Sequence, residues 1–198
     1  LDKIAPEIIT LEFTHYGLNY RIHNSAKHKK CIREVLLKHP DYKKRFNKNA
    51  LKNLLSFANI PYEFKAAKRY LEKRSVSLSF LHLVDIDIFS YMHLQKAEEL
   101  FSPSNVEKLL FGSDDNGNNS EKAVAKLFFE SGVKIFPYTE EMFIRDKYMS
   151  NRISMIKNSA GNIRLLHICG WQHLDDPYGI YAPLNPRKVF IYDKAFCI

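Results

Sequence analysis

The chain has 198 residues, of which 45% are hydrophobic and 26% charged, the composition of one globular domain. No apolar run approaches the roughly 20 residues that a membrane-spanning helix needs, and no basic-then-apolar signal segment opens the sequence. The three cysteines are odd in number and scattered. We therefore expect a single domain over residues 1–198 that is cytoplasmic, lacks a transmembrane segment and has reduced thiols, with neither a disulfide framework nor a structural zinc site.

The net charge of +8 is concentrated in one segment. Ten Lys and Arg against two acids between Lys27 and Lys52 account for the whole excess. Such a cluster attracts phosphates, so the basic segment 27–52 predicts an anionic partner, nucleic acid included. The same residues carry the apolar stripe of two helices, which favours a solvated face instead, and no nucleic-acid-binding module accompanies the charge.

The first predicted strand covers residues 6–13 and ends near Glu12, which His15 and Arg21 follow. A carboxylate at the end of a buried strand is costly unless it is hydrogen-bonded, paired or bound to a metal. Glu12 and His15 could be metal ligands, or Glu12 could form a structural ion pair with Arg21. Both interpretations stay open.

Periodic apolar residues next predict three helices, over residues 27–38, 48–58 and 62–73. Residues 76–84 predict a second strand, and Asp85 and Asp87 come directly after its apolar core. On a continuing strand these two carboxylates would share one face. The alternative is a turn or a helix cap, which is favoured for Asp87.

A helix over residues 97–110, with a stop and restart at 102–105, leads to a loop rich in Asp, Asn and Gly over residues 112–120. No glutamate closes this loop at the spacing of a calcium site, so we predict a flexible connection. A further helix over residues 121–131 and a short strand over residues 133–136 follow.

Residues 140–157 form the clearest predicted helix. Arg145 precedes Met149 by four residues and Ile153 by eight, which places it on the buried face. A buried arginine needs an anion, either a carboxylate such as Glu12 or Asp85 or a group of a substrate.

The last well-defined element is a strand over residues 163–169, followed by Gly170 and His173. Ligands of open α/β sheets bind outside the carboxyl ends of the strands, so this corner is a candidate site. Glycine accepts positive φ and lets a backbone approach a ligand or metal. The alternative is a plain turn with His173 capping a helix or facing solvent. His167, inside the strand, is expected to be a satisfied core histidine, and a final strand is predicted over residues 189–192.

These segments predict an α/β fold with a mainly parallel or mixed central sheet flanked by helices. The sequence contains no P-loop, no G-x-G-x-x-G, no G-x-S-x-G and no H-E-x-x-H. Phosphoryl transfer, dinucleotide redox chemistry and serine-hydrolase chemistry are therefore disfavoured.

The order of the motifs is more specific than any one of them. The chain carries P-E-I-I-T-L-E-F-x₇-R, then V-D-I-D, R-D-K-Y-M and finally L-L-H-I-C-G-W-Q-H. This series resembles the TraB/PrgY and TIKI-like proteins, a superfamily that looks related to the ChaN-like and erythromycin-esterase-like proteins. The matching positions are Glu12, Arg145 with Met149, and Gly170 with His173.

The chain departs from this superfamily at its start. Members carry an earlier G-x-x-H strand, which is not found ahead of Glu12 in this sequence. The erythromycin-esterase-like branch opens instead with G-E-x-x-H. Glu12 and His15 match that motif, with Leu11 in place of the glycine.

The resemblance implies a metal-dependent hydrolase that acts on a peptide, ester or related bond of a peptide or small-molecule substrate. Glu12 and His173 would bind a divalent metal or activate water, and Arg145 would hold the oxyanion. Mixed nitrogen and oxygen ligands suit manganese, cobalt or zinc. The supporting candidates are His15, Arg21, Asp85 and Gly170.

A non-catalytic binding or regulatory domain on the same scaffold is the alternative. It predicts a buried ion pair between Glu12 and Arg145 and no bound metal. The sequence leaves a homo-oligomer open in either case.

Overall fold

A small parallel sheet forms the centre of the molecule. The computed structural model describes residues 1–39, 46–112 and 137–189. Within them, strands β1 (Ile8–Leu11), β2 (Leu81–Leu83) and β3 (Leu165–Ile168) pair in the order β2-β1-β3, all parallel. Their carboxyl ends therefore meet at one edge of the sheet.

Helices connect and cover the strands. In chain order the α-helices of the described residues are α1 (His15–Lys38), α2 (Lys48–Ala58), α3 (Tyr62–Lys73), α4 (Asp87–Gln95), α5 (Ala97–Leu100), α6 (Pro103–Phe111) and α7 (Glu140–Ala160). Three 3-10 turns accompany them, at Leu78–Phe80, Trp171–Leu174 and Ala182–Leu184.

The two faces of the sheet bury different side chains because successive residues of a strand point in opposite directions. On one face, Ile9 and Leu11 of β1 pack with Ala67 and Leu71 of α3. On the other, Val84, Met149, Ile153, Tyr181 and Leu165 pack together, which brings α7 onto the sheet. The sheet is thus flanked by helices, and the α/β class is confirmed in this general sense.

A second apolar core lies among the helices. Ile32 and Val35 of α1 pack with Leu54 of α2 and with Val106 and Leu110 of α6. These residues form the apolar stripes that the sequence shows, so packing fixes α1 against α2 and α6.

Helix α1 begins twelve residues before the predicted position. The Thr14 hydroxyl accepts a hydrogen bond from Gly17 N at 2.8 Å and caps the helix. The only buried residue in the first half of the helix is Gly17, so no stripe of buried apolar residues marks its inner face there. Periodicity therefore detects only the second half, where Ile32 and Val35 are buried.

The second strand is shorter than predicted. Residues Leu78–Phe80 form a 3-10 turn, in which the Ser77 hydroxyl accepts from Ser79 N, and only Leu81–Leu83 pair with β1. The expectation that Asp85 and Asp87 share one strand face is wrong, because α4 begins at Asp87.

Helices α2 and α3 have the predicted bounds. The helix predicted over residues 97–110 is divided into α5 and α6, since the Ser102 hydroxyl caps a new helix by accepting from Asn105 N. The predicted elements at 121–131 and 133–136 lie outside the described residues, as do the loop 112–120 apart from Gly112 and the last strand apart from Val189. No described helix is long and apolar enough to cross a membrane.

Candidate functional site

Side chains from four segments meet at the carboxyl edge of the sheet. Glu12 directly follows β1, Asp85 follows β2, and His173 lies in the turn after β3. Arg145 and Asp146 reach the same place from α7. The three residues predicted to be catalytic therefore meet at Glu12, which contacts both Arg145 and His173, although the three are far apart in sequence.

Arg145 lies between two carboxylates. Its Nη2 donates to Glu12 Oε1 at 2.6 Å and to Asp85 Oδ2 at 2.6 Å, and its Nε donates to Asp85 Oδ1 at 3.1 Å. Burial alone would lower the pKa of Arg145, but the hydrogen bond and charge of Asp85 and the charge of Glu12 raise it. The guanidinium is charged, and both predicted carboxylates are its partners.

His173 is held by a carboxylate at each ring nitrogen. Its Nδ1 lies 2.5 Å from Asp146 Oδ1 and its Nε2 lies 2.9 Å from Glu12 Oε1. Burial would lower the pKa of His173, but these two carboxylates raise it to about 9. The ring is only 4% exposed, so the interpretation in which His173 faces solvent is wrong. It is an imidazolium at neutral pH.

Asp146 is the functional candidate that sequence reasoning missed. Besides His173, it accepts hydrogen bonds from the Tyr181 hydroxyl at 2.8 Å and from the Tyr138 hydroxyl. Its side chain is fully buried. The available signal is its spacing, three residues before Met149 and seven before Ile153, which places it on the buried face of α7.

The backbone at Gly170 completes the binding of Glu12. Gly170 N donates to Glu12 Oε2 at 2.6 Å. Burial raises the pKa of Glu12, but the hydrogen bond and charge of His173, the charge of Arg145 and the Gly170 N–H together lower it to about 2. Positive φ at Gly170 is a wrong expectation, since φ is −59°. A Cβ at this position would lie 3.3 Å from Glu12 Oε2, so glycine serves the close approach.

Two predicted supporting residues lie apart from this cluster. His15 is exposed at the start of α1, and its side chain makes no hydrogen bond or ion pair with any described residue. The Arg21 guanidinium lies over the rings of Phe13 and Phe57. The predicted ion pair between Glu12 and Arg21 is therefore wrong, because Arg145 takes that place.

His167 is half satisfied. Its Nδ1 lies 2.9 Å from the Thr10 hydroxyl on the neighbouring strand, while Nε2 is buried with no partner among the described residues. Burial lowers the pKa of His167 to about 4, so the ring is neutral. The expectation that His167 is a satisfied core histidine therefore holds for Nδ1 but not for Nε2.

The described donors do not form a complete metal centre. Both Glu12 oxygens and both His173 nitrogens are already hydrogen-bonded. Across residues 1–39, 46–112 and 137–189, no three His, Cys, Asp or Glu side chains are grouped so that they could hold one ion. A catalytic zinc takes three protein ligands and the predicted set supplies two, so metal binding stays a prediction.

No family model, curated protein or solved structure matches this chain. The TraB/TIKI resemblance therefore stays a prediction.

The cluster combines acid, base and cation in one place. Glu12 Oε1 receives hydrogen bonds from both His173 and Arg145, so a proton can pass between Glu12 and His173 while Arg145 stays charged. Nearby Cys169 is not an activated nucleophile, because burial and the charge of Glu12 raise the pKa of its thiol to about 12.

Proposed function

We propose that the chain is a TraB/TIKI-like hydrolase that cleaves a peptide, ester or related bond at the carboxyl edge of its sheet. The observation that carries the proposal is the position of Glu12 Oε1, 2.9 Å from His173 Nε2 and 2.6 Å from Arg145 Nη2. This oxygen is a proton acceptor, and a proton donor and a fixed cation lie within hydrogen-bonding distance of it. Acyl transfer to water uses these three groups.

Each group has one task in the proposed reaction. The Glu12 carboxylate takes a proton from water as the water oxygen bonds to the carbonyl carbon. Arg145 stabilises the negative charge that develops on the carbonyl oxygen. As the bond between the carbonyl carbon and the leaving group breaks, the His173 imidazolium donates its Nε2 proton to the leaving group, and the proton on Glu12 then returns to His173. Asp146 is a positioning residue, because it acts through His173.

Hydrolysis assays with matched variants test this function. We expect the wild-type protein and Glu7→Gln to cleave the same members of a peptide and ester panel, because Glu7 is exposed at the other end of β1. Glu12→Gln should lose about 100-fold or more in kcat/KM, the usual contribution of a general base. A folded Glu12→Gln protein with wild-type activity would contradict the proposal.

Metal dependence is an alternative form of the proposal. A deprotonated His173 and Glu12 would then hold manganese, cobalt or zinc as a Lewis acid, and neither would serve as the proton donor or acceptor described above. We expect the purified protein to hold one such ion, or to melt at a higher temperature when the ion is added, and His173→Ala to lose this response. Metal content that is equal in both proteins would contradict ligation by His173.

A non-catalytic binding or regulatory domain is the second candidate. The observation that favours it is the Glu12–Arg145 ion pair, in which both oxygens of Glu12 already have partners. Such a network holds three strand ends together without any substrate. Under this candidate Glu12→Gln alters the free energy of unfolding and no hydrolysis is detected in either protein.

An anionic partner at the basic segment 27–52 is a weaker proposal. Residues 40–45 of this segment lie outside the described residues, and Lys27 lies 2.5 Å from Glu98. Binding to nucleic acid that weakens steeply as salt is added would support it, whereas binding independent of salt would contradict it.

A further inference from the structure

Arg21 is a half-buried cation that has no carboxylate beside it among the described residues. Its guanidinium carbon lies 5.0 Å from the centre of the Phe13 ring and 5.1 Å from that of Phe57. No carboxylate of the described residues lies within ion-pair distance of it. Its only hydrogen bond to a described residue runs from Nη1 to Gly17 O, at 3.3 Å.

The other two nitrogens of Arg21, Nε and Nη2, differ in their access to solvent. Its Nε is buried and has no partner among the described residues. Its Nη2 makes no hydrogen bond to those residues either, but it is not closed off from solvent. The charge is held in an apolar setting with one open donor, and burial lowers the pKa of Arg21. A cation in such a place is stabilised by an anion that arrives from outside.

Hydroxyl groups lie next to the open guanidinium. A Cβ placed on Gly17 would lie 3.6 Å from Arg21 Nη1, 3.5 Å from Ser90 Oγ and 2.9 Å from Thr14 Oγ1. These polar atoms therefore converge around the first turn of α1 so closely that only glycine fits there. The Thr14 hydroxyl accepts from Gly17 N and donates to Ser90 Oγ at 2.8 Å, so the Ser90 hydroxyl is the one with a hydrogen left to donate to an oxyanion.

A cavity of about 330 Å³ shares the Phe57 ring with Arg21. It is lined by residues of both charges and by apolar groups, among them His93, Lys96, Glu99 and Asn105. The volume lies within the range of small-ligand sites. Arg21 and Ser90 do not line this cavity, which adjoins the guanidinium only through Phe57, so it could take the body of a ligand whose anionic group reaches Arg21.

We propose that Arg21 anchors a binding site for an oxyanion, the carboxylate or phosphate group of a small ligand, between the start of α1, Phe57 of α2 and Ser90 of α4. The planar fork of arginine suits both kinds of oxyanion, and the two phenylalanine rings hold it in place. The site does not depend on the hydrolase proposed above, since Arg21 has no contact with Glu12.

Anion titrations of three proteins test the site. Inorganic phosphate and acetate are titrated separately into the wild-type protein, Arg21→Gln and Arg33→Gln, with sodium chloride holding the ionic strength constant. Arg33→Gln is the matched control, because Arg33 is an exposed arginine of the same helix. We expect at least one of the two anions to raise the melting temperature of the wild-type and Arg33→Gln proteins, with affinity for it at least tenfold weaker in Arg21→Gln. Which anion acts identifies the ligand as a phosphate or a carboxylate.

The outcomes decide the proposal. A response of Arg21→Gln equal to that of the wild-type protein would overturn it, because the anion would then bind elsewhere on a basic surface. No response of the wild-type protein to either anion would also overturn it. If Arg21→Gln does not fold, the Nε–H signal of Arg21, assigned with Arg21→Lys, is followed by NMR in the wild-type protein. A saturable shift is expected on titration, and its absence would refute the site.

Discussion

Replacing Asp146 with Asn removes one of the two carboxylates that hold His173 and leaves the shape of the side chain unchanged. Asn keeps one acceptor oxygen, so the Tyr181 hydroxyl can still donate to it at the Oδ1 position, while the Tyr138 hydroxyl then meets the amide NH2 and must turn to accept. What changes is the charge beside His173. We expect the pKa of His173 to fall from about 9 towards its ordinary value near 6.5.

The raised pKa sets the magnitude of the effect. A rise from 6.5 to about 9 corresponds to about 3 kcal/mol of preference for the charged ring, shared between Asp146 and Glu12. The loss of Asp146 should therefore cost about 1–2 kcal/mol. Because the pKa is raised on folding, this stabilisation is fully present below pH 6.5 and is lost as the pH rises through about 9.

Two measurements check this prediction. NMR titration of the labelled histidine ring, assigned with His173→Gln, gives the pKa in each protein. Urea denaturation from pH 5 to 10 gives the difference in free energy of unfolding, with Glu140→Gln as the control for an exposed acid of the same helix. A wild-type midpoint near 6.5, or a difference in free energy that does not depend on pH, would refute the reasoning.

Three further predictions concern the same edge of the sheet. The pKa of Glu12 is lowered on folding from 4.5 to about 2, so its stabilisation is present above pH 4.5 and is lost as the pH falls through about 2; Glu12→Gln should lack this decline in urea denaturation between pH 6 and 2. Thr10→Val leaves the His167 ring without a partner at either nitrogen and should lower the free energy of unfolding by about 1–3 kcal/mol, whereas no loss would contradict the hydrogen bond. In Gly170→Ala the new methyl should displace the Glu12 carboxylate and raise the pKa of Glu12, which an NMR titration measures. The free energy of unfolding should change little, because alanine also restricts the unfolded chain. An unchanged pKa of Glu12 would argue against the close approach of Gly170.

Local sequence patterns were enough to predict that the candidate residues lie close together. Glu12 and His173 each follow a short apolar strand, and the carboxyl ends of parallel strands meet at one edge. Arg145 could be assigned to an inner helix face from its spacing to Met149 and Ile153. What these residues do stays a prediction, since position alone does not specify a reaction.

The parts that sequence reasoning missed are polar groups in buried positions. Asp146 has the same helical spacing as an apolar residue, but a carboxylate is ordinarily assigned to the surface, because only its partners make burial affordable. The first half of α1 was missed for a related reason, since its one buried residue is Gly17 and no buried apolar stripe marks its inner face. Partners such as Tyr181 come from distant segments, and no local pattern reveals them.

The strand order has a consequence for how the protein is made. β1 lies in the middle of the described sheet, yet Thr10 meets its β3 partner His167 only across 157 positions of the chain. During synthesis one edge of β1 therefore stays unpaired until β3 has left the ribosome, and a mainly apolar inner strand with an open edge is a template for aggregation. Contacts that span such distances also slow folding. The chain should accordingly fold late and depend on chaperones while it is being synthesised.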